Sequence, residues 1–219
     1  KVLAIDIETY SKGGGLAFDK DPILMVALHG ENFNKVVTWK RLHTELDYIE
    51  FVDSEMHMVE KALEYIDQYK PEVITGYNSD GFDLPYINTR AEKYDIPVKI
   101  ALDHTGFEFS SGFKAQANVR GIAHVDMYRF VQQSIGKTMK TDSLSLNAVA
   151  AELLGEEKHD VDIGKLASAW DANEGLEEYA IYNLKDTVLT YKLCLQLWAN
   201  IEELAKIVGL PLVDLTRAS

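Results

Sequence analysis

One cysteine, Cys194, stands in a chain of 219 residues, so no internal disulfide can form. Its place within an apolar helical pattern reads as a small buried hydrophobe. Long apolar runs are also missing. With no signal peptide and no segment able to span a bilayer, a cytoplasmic protein without membrane contact is expected. Basic residues are scarce: 22 Lys and Arg face 35 Asp and Glu, a net charge of −13. That balance excludes a strong free-standing grip on a phosphate backbone and predicts weak nucleic-acid affinity that falls steeply with salt. A nucleic-acid enzyme survives the exclusion, because metal-binding carboxylates would supply part of the negative charge. A partner or neighbouring domain could then provide the basic channel.

Several motifs are absent as well. The loop Ser11-Lys12-Gly13-Gly14-Gly15 lacks the Gly-Lys-Ser/Thr ending of a phosphate-binding loop and the spacing of a dinucleotide fingerprint. An EF-hand reading around Asn78 to Asp83 fails, since its first and twelfth ligand positions fall on Gly76 and Ile87. His124 and His159 have no third ligand at zinc spacing and read as ordinary polar residues. No internal repeat or low-complexity segment occurs.

What is present is the composition of a globular protein, 47% hydrophobic and 26% charged, and the length suits one domain. The chain begins at Lys1 and stops soon after a long helical pattern, which suggests a domain excised from a longer chain. Strand patterns cover Val2 to Thr9, Ile23 to His29 and Lys35 to Trp39, and are expected to pair as an antiparallel meander. Asp53-Ser54-Glu55 opens a helix that Pro71 closes, Val73 to Thr75 reads as a strand, and a second helix runs from about Gly81 to Tyr94. This βαβ-like progression points to a mixed α/β sheet. Residues 97–125 turn irregular, with Phe107, Phe109 and Phe113 near the basic Lys99, Lys114 and Arg120. A protruding β-hairpin fits them, its aromatics either touching single-stranded nucleic acid or anchoring the hairpin to the body. Helices follow over Met127 to Ile135, Leu144 to Leu154, Ile163 to Trp170 and Leu176 to Val208. In the last, Ile181, Leu184, Val188, Tyr191, Leu195 and Trp198 mark the expected core stripe.

Asp6 and Glu8 interrupt the first, otherwise aliphatic strand. Positions two apart share a face, so two like charges are held together in a setting short of water. Alone the pair fits a solvated strand end as well as a metal site, and partners elsewhere must decide. Tyr182 and Asp186 lie one helical turn apart on the long helix. Asp80 is placed to cap the second helix, with Asp83 in its first turn.

Asp6-x-Glu8, Asn78-x3-Phe82-Asp83 and Tyr182-x3-Asp186 together resemble the three exonuclease motifs of the DEDD superfamily in its tyrosine-bearing form. Gly76-Tyr77-Asn78, His124-Val125-Asp126-Met127-Tyr128, Ser145 to Ala150 and Leu215 to Ser219 extend the resemblance to the proofreading domain of archaeal-like family B DNA polymerases. The resemblance implies an RNase H-like α/β fold, a mixed sheet with flanking helices and a hairpin. It implies hydrolysis of single-stranded DNA 3′ ends to nucleoside 5′-monophosphates, with two Mg²⁺ or Mn²⁺ ions. Asp6 would bridge both ions, Glu8 and Asp186 would complete the site that activates water, and Asp83 would support the second ion through water. Tyr182 would orient the attacking water or the phosphate. Asn78, Phe82 and Thr9 would contact the terminal nucleotides, and Lys140, Lys158 or Lys185 would be the lysine often found near such a site. Asp126 would be structural. A polymerase domain in the same parent chain is the implied partner, the isolated domain being monomeric and, in an archaeon or bacterium, nucleoid-associated. The alternatives are a free-standing exonuclease acting on RNA or oligonucleotides, and a catalytically silent nucleic-acid-binding or scaffold domain.

Overall fold

A computed structural model describes residues 1–12, 17–110, 116–156 and 161–215. Gly13 to Gly15, Phe113, Lys114, Lys158, His159 and residues 216–219 of the sequence reading lie outside the described residues. The strands are β1 (Val2–Thr9), β2 (Ile23–Gly30), β3 (Phe33–Thr38), β4 (Ile49–Phe51), β5 (Val73–Gly76), β6 (Glu108–Ser110), β7 (Gln116–Asn118) and β8 (Ala123–Asp126). The helices are α1 (Glu55–Tyr69), α2 (Asp83–Lys93), α3 (Met127–Phe130), α4 (Leu146–Leu154), α5 (Leu166–Ala172), α6 (Leu176–Val208) and α7 (Leu212–Leu215). α3 runs on as a π turn over Val131–Ile135. Six strands form one sheet in the order β4-β3-β2-β1-β5-β8, and β6 with β7 makes a separate hairpin.

The meander over β1, β2 and β3 is antiparallel as expected. β5 adds to β1 in parallel and β8 to β5, while β4 adds in parallel to β3. Two of these strands escape the sequence reading: β4 has three residues and β8 four, and neither is a β-branched run like Val73 to Thr75 of the equally short β5. β8 also shortens the hairpin expected over 97–125, because Ala123 to Asp126 belongs to the main sheet and β6 with β7 alone forms the hairpin. Phe107 packs against the main core, as the anchoring reading expects, while Phe109 is exposed.

Alternation along β1 sends Leu3, Ile5 and Ile7 into a core shared with α1 and α2. Asp6 and Glu8 therefore face the opposite side, where α6 lies. α6 packs there on Leu24, Met25 and Ala27 of β2 and, further along, on Val73 and Val125. Its buried stripe departs from the expectation: Ile181 is 46% and Leu195 48% exposed. The buried positions are Leu176, Tyr179, Ala180, Asn183, Leu184, Thr187, Leu189, Thr190, Leu193, Cys194, Leu197 and Ile201. Polar Asn183, Thr187 and Thr190 share the buried face with apolar side chains, and Asn183 meets a carboxylate there, its Nδ2 donating to Asp6. Cys194 is buried as expected, and burial pushes its thiol up to about 11. No described helix is long and apolar enough to cross a membrane.

Candidate active site

The four acids lie where the C-terminal end of β1, the start of α2 and the third turn of α6 adjoin. Glu8 is 8% and Asp83 2% exposed, while Asp6 and Asp186 are partly buried. Beside Glu8 the pairing of β1 with β2 slips: Glu8 lies opposite Met25 but Thr9 opposite Ile23, passing over Leu24. Such a slip locally raises the twist and re-aims the side chains beside it. β5 accompanies β1 only as far as Ala4. Past that point Asp83 takes the place of a strand neighbour, its Oδ1 accepting the Ile7 N–H at 3.0 Å.

Burial raises the Asp6 carboxyl well above its ordinary value, and the charges of Asp83, Asp186 and Glu8 raise it further. Thus Asp6 feels all three of the other acids that the sequence singled out. Asn183 opposes the shift, its Nδ2 donating to Asp6 Oδ2 at 2.6 Å. Asp83 is pushed up to about 7, chiefly by burial, although the N–H groups of Asp83 and Ile7 pull the other way. Tyr182 and Asp186, both half-buried, share the α6 face one turn apart. As they stand, no three described acids, histidines or cysteines close around a common point to hold a metal ion. The donor chemistry nevertheless fits a hard divalent cation: four carboxylates, short of water, whose mutual repulsion a cation would relieve. A further oxygen agrees with that fit, because Asn183 Oδ1 is buried with no hydrogen-bonding partner among the described residues.

Thr9 and Phe82 join Glu8 in lining a cleft of about 790 Å³, whose other wall is built by Lys12, Ala167 and Ser168. Asn78 lies outside that cleft, on a separate recess of about 540 Å³ with Tyr77 and Tyr128. Its backbone is left-handed, φ +70°, a conformation Asn tolerates better than most residues. Asp126 holds the turn in place, accepting the N–H groups of Asn78 and Asp80 at 3.0 Å each. The structural role expected of Asp126 is therefore what its bonds describe. Asp80 is not the α2 cap: that position is Phe82, without a side-chain bond. Asp80 turns inward to the hairpin instead, accepting Ala117 N–H at 2.8 Å and pairing with Arg129 at 3.1 Å. Buried His124 joins the same network through Ser79 Oγ at 2.9 Å.

Of the candidate lysines, Lys185 pairs with Glu156 at 3.0 Å, and Lys140 is exposed, its backbone N–H bonded to Glu152. The cation on the cleft wall is Lys12, 2.7 Å from Asp171. Asn183 and Lys12 are the two residues that sequence reasoning missed. An amide at a buried helical position three residues before Asp186 was the signal for the first; the second had none.

The raised Asp83 carboxyl gives a pH prediction for the metal-free chain. Between about 4 and 7 the folded form binds more protons than the unfolded one, so this group makes stability fall as pH rises through that window. Thermal melts in EDTA at pH 5.5, 6.5 and 7.5 should show a steeper fall for wild type than for Asp83→Asn. Equal slopes would contradict the assignment.

Residues 1–149 match the family described as DNA polymerase family B, exonuclease domain. The chain is 35% identical over 220 residues to a DNA polymerase of Pyrococcus glycovorans, a match covering 100% of this chain and 28% of that one. It is 34% identical over 218 residues to one of Pyrococcus horikoshii, covering 99% and 17%. The solved family B DNA polymerase of Pyrobaculum calidifontis shares the fold, with a TM-score of 0.81 and 24% identity over 100% of this chain and 27% of that one. The chain thus spans less than a third of the length of these relatives.

Proposed function

The chain belongs to the exonuclease domains of family B DNA polymerases, and we propose that it is a metal-dependent 3′→5′ exonuclease removing nucleotides from single-stranded DNA ends beside a polymerase domain. The observation that carries this reading is the electrostatic convergence of Glu8, Asp83 and Asp186 on Asp6.

Asp6, Glu8, Asp186 and Asp83 would hold two Mg²⁺ or Mn²⁺ ions. When bound, such a pair supplies an activated water and stabilises the departing oxyanion. Asp83 is held by the Ile7 N–H and its own N–H, and a carboxylate already accepting these bonds suits a supporting role at an ion or its water. Asn183 fixes the orientation of the Asp6 carboxylate through its 2.6 Å bond. Tyr182, on the same face of α6 as Asp186, would hydrogen-bond the water or the phosphate. An ordinary phenol stays protonated near neutral pH, so it orients without taking the proton. Phe82 and Thr9, on the cleft beside Glu8, would receive the base and sugar of the last nucleotide, and a flat ring suits any base. Asn78, on a separate recess, would meet the nucleotide before it.

The test is digestion of a 5′-labelled single strand. Stepwise shortening from the 3′ end is expected with Mg²⁺ or Mn²⁺, is expected to stop with EDTA, and should release nucleoside 5′-monophosphates. A matched RNA strand separates the DNA reading from that of an RNA exonuclease. Shortening that persists in EDTA, or that begins at the 5′ end, would overturn the proposal.

A further inference from the structure

Resting on that reading, we propose that Phe18 is a positioning residue: it fixes the ring of Phe82 against the cleft and so sets the affinity for the terminal nucleotide. Between β1 and β2 the described residues 17–22 are tied to β1 by one backbone bond, Tyr10 N–H to the carbonyl of Pro22 at 2.9 Å, and are otherwise anchored to α2 by side chains. Arg90 Nη1 donates to the carbonyls of Phe18 and Asp19 at 3.3 and 2.9 Å. Tyr86 Oη donates to the carbonyl of Asp21 at 2.9 Å. Arg90 is itself fixed, 1% exposed and paired through Nε and Nη2 with buried Glu55. Glu55 also accepts the N–H of Ile23, the first residue of β2, at 2.8 Å.

What this clamp seats is the ring of Phe18. It lies 4.4 Å from Tyr86 at 27° and meets Phe82 edge-on at 6.0 Å and 87°. Tyr86 closes the group, 5.5 Å from Phe82. Phe82 precedes α2 with φ −134° and ψ −75° and makes no side-chain cap bond. Its ring is therefore held by these two aromatic neighbours on the inner side, while it also lines the cleft with Glu8 and Thr9. Offset and edge-on contacts of this kind have preferred geometries, so they fix an angle as well as fill space. Without Phe18 the ring of Phe82 gains room to turn away from an incoming base. The chemistry, carried by acids on β1, α2 and α6, is left in place.

The experiment uses a single strand with 2-aminopurine at its 3′ end, whose fluorescence drops when the base stacks. Phe18→Ala should raise KM about tenfold with kcat within about twofold, and Phe18→Tyr should restore KM. In an Asp6→Asn background, which leaves the strand uncut, Phe18→Ala should lose the quenching that Phe18→Tyr keeps. A Phe18→Ala chain with wild-type KM and wild-type quenching overturns the inference, whatever its melting temperature. A fall in kcat at unchanged KM overturns it too, marking Phe18 as a structural residue. If wild type itself neither cuts nor quenches, the exonuclease reading falls and this inference falls with it. If wild type does both and the variant matches it, this inference falls alone.

Discussion

Replacing Asp6 by Asn together with Glu8 by Gln is expected to abolish strand shortening while making the metal-free chain more stable. The two effects have one cause. In the folded chain the Asp6 carboxyl is short of water and surrounded by the charges of Asp83, Asp186 and Glu8, so its ionised form is held at a cost that folding must meet. An Asn of the same shape carries no charge to desolvate or repel, and the folded state gains. At about 3 °C per kcal/mol for a domain of this size, the gain is readable as a rise in Tm in EDTA. The same change removes the hard anionic oxygens that would hold the ions. A loss of at least about a thousandfold in kcat/KM, on the order of 4 kcal/mol in the barrier, follows from losing the activated water and the clamp on the leaving oxygen. A double variant that kept full activity would sink the two-ion reading. One that lost activity and stability together would show that Asp6 and Glu8 support the fold more than they strain it.

How much of this was legible beforehand depended on whether a signal was local. Along β1 the aliphatic run and its period of two gave the strand its bounds, Val2 to Thr9, and put Asp6 and Glu8 on one face. The four-residue spacing of Tyr182 and Asp186 did the same on α6. Asp83, at the head of α2, was found by its place between a strand and a helix. The features that escaped are tertiary. The slipped register beside Glu8 is a property of two strands, and nothing in β1 announces it. β4 joins the sheet only because β3 offers it an open edge. Asp80 looks like a helix cap in sequence, but the partly buried Arg129 and the Ala117 N–H compete for it and prevail. The stripe on α6 was misplaced for a related reason. A rule that scores hydrophobicity marks only apolar residues as buried, whereas this helix also buries Asn183, Thr187 and Thr190.

The second large effect is on the fold. Arg90→Met is expected to cost about 3–5 kcal/mol, because it leaves the Glu55 carboxylate buried without its cation. The geometry explains why so much rests on one side chain. Glu55 is 5% exposed and heads α1, Arg90 is 1% exposed on α2, and between them they tie the start of β2 and the 17–22 segment to both helices. Water cannot take over the lost bonds at that depth. For a chain of this length the loss corresponds to roughly 10 °C in Tm. The pair itself contributes far less than its rupture costs, since taking two charges out of water offsets most of their attraction. Glu55→Gln with Arg90→Met should therefore recover most of the loss: the amide still accepts the Ile23 N–H, and no unpaired charge stays inside. Melting curves of the two singles and the double form a cycle that separates the explanations. Equal losses in Arg90→Met and the double would mean that the lost bonds to Phe18 and Asp19 dominate over the stranded charge. Activity adds a second reading of the same variants. Well below their melting temperatures both carry Met at position 90 and lack the anchor on the Phe18 carbonyl, so both should bind a 3′ end more weakly at little changed kcat, although only one of them is badly destabilised.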